Sequence, residues 1–566
     1  MFVLVESQKW NKIDNRPDLG VALLKAILNE NDFDNKLVLG QTRFTKDFFL
    51  KEFNEICDLV NSLPKAVSFK WAKYLKSKLN NEYGFKIELK EDYSLFTTTN
   101  EDNFFSLSSQ MRLNKNLESI FELYNYWFDK KDTSITQNLF NNIKNLKPDA
   151  VGFSLSFPEK ITEKVRTQIK QELDIPIILG GSLTFHVSDQ DLDRFFSNNT
   201  FDYLIKQSGD DALPKLLSYI EGKEKLENIP NLIYKKRSGN IKKNSVSWLK
   251  NLDLLPTPDF SDFELDNYFS LVRMLPMQTS RGCSWAKCAF CTDWLVQGPV
   301  YVEMNKEKVV ANIEQMKKKY KTNYFLFHDE ELPADRANEL SKLFIDRNLE
   351  SYFLSLARFD PAFNSRLLNQ MYSAGFRILT WGLESGCQRV LNLINKDTKI
   401  KNNSKILKES HNAGILNICF FMLGFPTETK EEAIKTINFL EKNSQFIDCA
   451  LWDIFKLEEK SQVRQNPNKF NITISNRKLS HGVLPYFEFE TSKGMSRKEA
   501  KKLKEEITKK IISGKLKVYN QRFKYWNYNQ IETQLLYLAS KNKVDTFSNQ
   551  PNPNFFQQSN HEEEIK

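Results

Sequence analysis

Long apolar runs are missing from this chain: the longest, such as Ile418 to Phe425, fall far short of the ~20 residues a membrane-spanning helix needs. The opening MFVLVESQKW has neither a basic lead-in nor a small-residue cleavage site, so it reads as a first strand rather than an export signal. Histidine is scarce: the five, at His186, His328, His411, His481 and His561, are too scattered for a His-x3-His metal pair, and no second Cys-x2-Cys pair exists. No repeat of fixed period is apparent. A strong charge imbalance is also lacking, since 81 basic and 72 acidic side chains leave a net charge of +9 over 566 residues. The Lys-rich stretches at Lys317 to Lys319 and around Lys501 sit among glutamates and apolar positions, as solvated helix faces do, which argues against a nucleic-acid partner. The expectation is a cytoplasmic protein with no membrane partner. Its seven cysteines, an odd number without export signals, point to thiols and metal ligation rather than a disulfide framework.

What is present is a globular composition, 40% apolar and 27% charged with 44 phenylalanines, in a chain long enough for about three or four structural units. FVLVE, a Pro-Asp-Leu-Gly turn and GVALLKAILNE read as strand, loop and helix. DAVGFSLSF, a following amphipathic helix, IPIILGGSL, FDYLIKQSG and ALPKLLSYIEG continue an α/β alternation. Residues 1–225 are therefore assigned to a Rossmann-like parallel sheet, interrupted at about 44–148 by a Phe-, Asn- and Lys-rich segment read as a helical insertion. Residues 226–270 hold a hairpin, PNLIYKKRSGNIKKNSV, and a linker marked by Pro256 and Pro258. From Leu275 six strand and helix units follow in regular order, which implies a partial (β/α)6 barrel over 271–457 with its site at the C-terminal strand ends. Residues 458–545 are expected to be mostly helical, and 546–566, rich in Asn, Pro and Gln, to be a disordered tail.

The segment TSRGCSWAKCAFCTDW sets Cys283, Cys288 and Cys291 in a C-x4-C-x2-C loop directly after the first barrel strand. Thiolates are soft ligands for iron or zinc, and a 4Fe-4S cube normally takes four, so three leave one iron open. The alternative of a structural zinc site lacks a fourth N or S ligand. Cys57, Cys387, Cys419 and Cys449 lie on helix-like or apolar segments and read as packing residues.

These residues resemble the radical S-adenosylmethionine (SAM) superfamily, in the branch that joins a cobalamin-binding-like domain to the radical domain. The resemblance runs from the first strand to about residue 510 and is carried by VGFSLSF, PIILGGSL, LPTPDF, RGCSWAKCAFC, WGLESGCQRVLNLINKDT and FFMLGFPTET. The C-x4-C spacing is one residue longer than the family's common form. The resemblance implies a 4Fe-4S cluster on the three cysteines and SAM chelated to the open iron. Reductive cleavage would yield a 5'-deoxyadenosyl radical that modifies an unactivated carbon of a small-molecule or peptide substrate, with flavodoxin or ferredoxin as reductant.

The other cofactor-binding candidates follow from the same comparison. Glu384, ending the strand RILTWGLE, would face ribose hydroxyls or an ammonium group, with Ser385 beside it; alternatively Ser385 caps a helix. Asp329 and Arg358, at two other strand ends, suit a zwitterionic ligand or a salt bridge of Arg358 with one of the nearby acids. Gly424 would lie beside the adenine, and Lys396 matches a family lysine. Ser154, Gly180 and Gly181 resemble contacts to the nucleotide tail of cobalamin. The family's Asp-x-His-x-x-Gly loop is missing, because no histidine occurs within residues 5–20. The same chain is therefore also read as a cobalamin-free cyclising or oxidising radical enzyme, or as a non-catalytic iron-sulfur, zinc or peptide-binding protein.

Overall fold

In a computed structural model of the chain, the described residues are 1–7, 17–39, 87–89, 95–97, 136–155, 160–185, 192–265, 272–293, 298–479 and 486–512, with 187, 189 and 268 between them. A first sheet has the order β2-β1-β5-β6-β7-β8-β9. Its strands are β1 (Phe2–Ser7), β2 (Asn35–Leu39), β5 (Ala150–Leu155), β6 (Ile177–Gly180), β7 (Tyr203–Ile205), β8 (Leu232–Lys235) and β9 (Ile241–Lys243). Strands β2 to β7 in that order are parallel. Val3, Val5, Val151, Phe153, Ile177 and Leu179 are all fully or nearly fully buried, as strands covered on both faces require. Helix α1 (Leu19–Glu30) starts where Asp18 accepts a 2.8 Å hydrogen bond from the Val21 amide and packs its apolar side on this sheet. The expected hairpin at 230–246 forms as β8 and β9, yet it extends the first sheet, because β8 pairs antiparallel with β7.

Two differences from expectation lie in this part. Strand β2, from NKLVL, was not anticipated, and it makes the sheet's edge. The insertion at about 44–148 is not wholly helical: β3 (Ile87–Leu89) and β4 (Leu95–Thr97) pair antiparallel, while 136–145 is helical. A period-two run of three residues is too short to stand out in a Phe- and Lys-rich segment. The rest of the insertion, with Cys57, lies outside the described residues.

The second sheet has six parallel strands in the order β10-β13-β14-β15-β16-β17. They are β10 (Met274–Met277), β13 (Tyr324–Phe327), β14 (Tyr352–Ala357), β15 (Phe376–Glu384), β16 (Leu416–Leu423) and β17 (Cys449–Ile454). No pairing closes β17 on β10 among the described residues, so the barrel is partial. Among the described residues six helices lie in its connections: α4 (Lys306–Tyr320), α5 (Ala334–Asp346), α6 (Ser365–Ser373), α7 (Gln388–Ile394), α8 (Ile400–Asn412) and α9 (Lys430–Lys442), after α2 (Lys160–Glu172) and α3 (Ala212–Ile220) of the first unit. Met274, Leu326, Leu354, Ile378, Ile418 and Cys449 form a separate apolar cluster made of strand residues alone, which closes the floor of the concave face. Trp381 points to the helices, stacked 4.9 Å from Phe359 and bonded through its indole N–H to Asn417.

The region expected to be mostly helical after 458 begins differently. Strands β18 (Leu457–Glu458), β20 (Tyr486–Thr491) and β19 (Ile472–Leu479) make an antiparallel sheet, and only then does α10 (Arg497–Ile512) follow. The continuation past 512 and the expected tail lie outside the described residues. Among the described residues no helix is long and apolar enough to cross a membrane.

Candidate active site at the strand ends

Parallel strands put all their C-terminal ends at one mouth, and the cysteine loop leaves β10 there. Its stem is fixed first by Asp329, just past β13: one carboxylate oxygen accepts from the Thr279 amide at 2.7 Å and the Ser280 amide at 3.0 Å, and the other takes the Thr279 hydroxyl. Asp329 is 3% exposed, and burial pushes its carboxyl up to about 6 despite these donors. The expected ligand acid thus spends its acceptors on the protein's own backbone.

The body of the loop is held on both sides. The Ala289 amide donates to the Ile394 carbonyl at 2.7 Å, the Trp285 indole to the Asn395 carbonyl at 2.8 Å, and Asn395 returns a 3.0 Å bond to the Lys287 carbonyl. Behind the loop, the Val463 amide donates to Ala289, and Cys288, Ala289, Phe425, Phe455, Phe470, Phe487 and Phe489 share one apolar cluster. The end of α7 and the C-terminal sheet are therefore its two walls.

Cys283, Cys288 and Cys291 are free thiols. Burial, reinforced by the Glu331 carboxylate 3.2 Å away, pushes Cys283 up to about 12, and burial likewise raises Cys288 and Cys291. Among the described residues no three His, Cys, Asp or Glu side chains converge as a single metal ion demands. A four-iron cube takes one thiolate at each of three corners, so its ligands stand farther apart than those of one ion. Three soft donors on one pinned loop, with a backbone N–H from Ala286 already 3.4 Å from the Cys283 sulfur, fit such a cluster. Iron would ionise the thiols outright, whatever their metal-free affinity for protons.

Around the loop stand the charges. Lys396 donates to Glu384 at 2.9 Å, with both side chains about one-tenth exposed. Burial opposes the ammonium, but Glu384 and the neighbouring Cys288 hold Lys396 well above the ordinary lysine range. Glu384 sits at a register shift of β15 with φ 59°, a left-handed conformation that is costly for a non-glycine residue. Arg358 donates to Glu331 at 3.3 Å and lies 4.9 Å from the Trp285 ring centre, so the salt bridge foreseen for it is with Glu331.

The remaining candidates divide. Ser385 is fully buried, shares a hydrogen bond with Thr436 and accepts the Cys387 amide, so it organises the start of α7 and does not open to the mouth. Gly424 has φ 74°, and a Cβ there would meet the Ala500 side chain of α10 at 2.7 Å: its close neighbour is protein. Ser154 and Gly180 lie side by side at the ends of β5 and β6, and a Cβ on Gly180 would have nothing within 4 Å among the described residues. Gly181, at φ 91°, lies against the Leu155 backbone instead. Sequence reasoning placed Glu331 only as one of three adjacent acids that could pair with Arg358, and it missed Asn395 and Asp210, whose positions depend on loops that only the packed fold brings together.

Residues 277–440 match the Radical SAM superfamily family model. This part of the chain is a radical SAM domain. It encloses the cysteine loop, Glu384, Lys396 and Gly424. Over 307 residues the chain is 24% identical to an uncharacterized methyltransferase of Pyrococcus horikoshii, covering 53% of this chain and 65% of that protein. Over 306 residues it is 24% identical to the anaerobic magnesium-protoporphyrin IX monomethyl ester cyclase of Rubrivivax gelatinosus, covering 52% and 54%. The chain thus spans between half and two thirds of the length of these two curated relatives. Among solved structures, the cobalamin-dependent radical enzyme OxsB with aqua-cobalamin bound matches with a TM-score of 0.61 at 15% identity, over 90% of this chain and 66% of that one. The radical SAM methyltransferase TsrM of Kitasatospora setae, with tryptophan and a SAM analogue bound, matches with a TM-score of 0.55 at 12% identity, over 84% and 79%. At such identities the likeness is one of fold, and it extends across the first sheet as well as the radical SAM domain.

Proposed function

We propose that this chain is a radical SAM enzyme that modifies an unactivated carbon of a small-molecule or peptide substrate, with methyl transfer as the leading reaction. The observation that carries it is the three-thiol loop at the mouth of a six-stranded parallel sheet, walled by Ile394 to Lys396 on one side and the C-terminal sheet on the other. Cys283, Cys288 and Cys291 would hold a 4Fe-4S cluster, which when bound supplies the electron that cleaves SAM to a 5'-deoxyadenosyl radical.

The chain's own residues would do the positioning. Glu384 would leave Lys396 to accept ribose hydroxyls or the amino group of SAM, and Arg358 would meet its carboxylate. Gly424 would leave its strand end low beside the adenine, while Asp329 and Ser385 hold the backbone that carries the ligating groups. The phenylalanines behind the loop keep water from its back. On the first sheet, Ser154, Gly180 and Gly181 would border the nucleotide tail of cobalamin, in the crevice outside the strand ends. A flavodoxin or ferredoxin in the cytoplasm would deliver the electron.

Anaerobic reconstitution with iron and sulfide tests this: the wild type should gain cluster absorbance and release 5'-deoxyadenosine under dithionite, and Cys283→Ala should do neither. A wild type that forms no cluster ends the proposal. A second reading, cobalamin-free ring closure or oxidation, is favoured by the lack of histidine in residues 5–20, since no imidazole from that loop can reach cobalt. Mass spectrometry of protein expressed with the vitamin separates the two.

A further inference from the structure

Among the described residues, the stem of the cysteine loop is tied to the first sheet by one part-buried ion pair. Arg281, two residues before Cys283, donates through both terminal nitrogens to Asp210: one bond measures 3.2 Å, and the second joins the other nitrogen and the other carboxylate oxygen. Both side chains are 12% exposed. The fork is oriented from each end. The Gln278 side-chain carbonyl accepts from the Arg281 Nε at 2.8 Å, and the Ser208 hydroxyl donates to Asp210 at 2.5 Å. Asp210 lies on the turn after β7, at the same C-terminal edge as Ser154 and Gly180, so the pair spans from that edge to the loop.

Its placement matters more than its strength. Arg281 belongs to β11 (Ser280–Arg281), a two-residue strand paired antiparallel with β12 (Val302–Glu303). Gly282 follows at φ 78°, with the Val300 carbonyl 2.9 Å from where a Cβ would stand. The stem therefore has contacts from the second sheet through Asp329 and from β12, but only Arg281 links it to the first sheet through a directional, two-pronged bond among its described contacts. Such an ion pair adds little net stability compared with apolar residues of like volume, but the planar guanidinium fork gives the contact a defined direction.

We propose that Arg281 and Asp210 are positioning residues: their pair sets the cysteine loop relative to the first sheet's edge, so that the cluster site takes its working geometry only when that edge is in place. This rests on the cluster reading above, but it concerns the loop before any metal arrives.

The test is hydrogen–deuterium exchange over residues 279–292 of the metal-free full chain, in wild type, Arg281→Lys, Asp210→Asn and the apolar pair Arg281→Met with Asp210→Leu. Exchange in this loop should rise roughly tenfold in all three variants, the loss of one or two charge-assisted hydrogen bonds, while α5 exchanges as in wild type. The apolar pair should keep the wild-type Tm. After reconstitution, its reduced cluster should give a broadened paramagnetic resonance spectrum that responds less to added SAM. Unchanged loop exchange in Arg281→Lys and in the apolar pair overturns the proposal, and Arg281→Lys alone decides should the apolar pair fail to fold. A wild type that binds no iron would defeat the cluster reading but leave the exchange comparison intact.

Discussion

Lys396 and Glu384 show what a single residue can decide at this mouth. Removing one partner leaves a charge buried without compensation, so Lys396→Met should destabilise the fold by about 3–5 kcal/mol, and Lys396→Met with Glu384→Leu should regain most of it; urea unfolding measures both. Glu428 offers a pH test. It is 1% exposed, one oxygen accepts the Gly424 amide at 2.6 Å, and the other has no hydrogen-bond partner among the described residues. Burial, with the Glu432 carboxylate nearby, pushes Glu428 up to about 7 from 4.5. Between those values the folded chain keeps a proton that the unfolded chain releases, so this group's stabilisation is present below about pH 4.5 and lost as pH rises toward 7. Glu428→Gln should remove that part of the slope and raise the urea midpoint at pH 8 relative to wild type. At this scale the sequence disclosed the cysteines, because three thiols on one short loop need no fold to be seen together. It could not disclose that Asp329 turns to the Thr279 and Ser280 amides, or that Arg358 chooses Glu331: Asp329, Glu330 and Glu331 are adjacent in the chain, and only packing sorts them.

Among the elements, α10 and the end of β16 meet at Gly424. Alanine there would combine a left-handed backbone, costing roughly 1–2 kcal/mol, with a Cβ contact 2.7 Å from Ala500. Gly424→Ala should lower stability by about 2 kcal/mol or more, and adding Ala500→Gly should relieve the contact while leaving the backbone cost. A double-mutant cycle in urea measures the coupling. Gly180 is the opposite case: its Cβ would meet nothing within 4 Å among the described residues, so Gly180→Phe should leave Tm nearly unchanged and still abolish any retention of cobalamin. The barrel helices and strands were legible because six apolar strands alternate with helical periods. The C-terminal sheet was not, although Ile472 and Ile474 alternate with Thr473, and Phe487 and Phe489 with Glu488. Residues 476–485 separate those short runs, and their pairing depends on a bulge between Ile474 and Lys478 that no alternation foretells.

For the whole molecule, the two parallel sheets share one continuous apolar core, which runs from Leu4 and Leu28 through Phe260 to Phe325 and Phe376. Asp259 and Asp262 fasten the connecting segment. Asp259 accepts from Asn29, Lys319 and Tyr320 at 2.8 to 3.0 Å, and Asp262 from Lys25, Lys36 and the Leu37 amide at 2.9 to 3.0 Å. Both units should therefore melt in one calorimetric transition, and Asp259→Ala should lower its midpoint without affecting the concave face. The α/β order of both units was readable from periodicity, but a core common to the two was not, because it depends on how α1 and α4 meet across the linker. The walls of the cysteine loop carry one more consequence. Cys283 to Cys291 leave the ribosome about a hundred residues before Asn395 and some 170 before Val463, the positions that hold the loop, and synthesis runs at about 5–20 residues per second. For several seconds the nascent thiols have no walls, so a walled cluster site should form only once Val463 has emerged. Ribosome-bound fragments stalled near residue 400 should carry all three cysteines and acquire no iron.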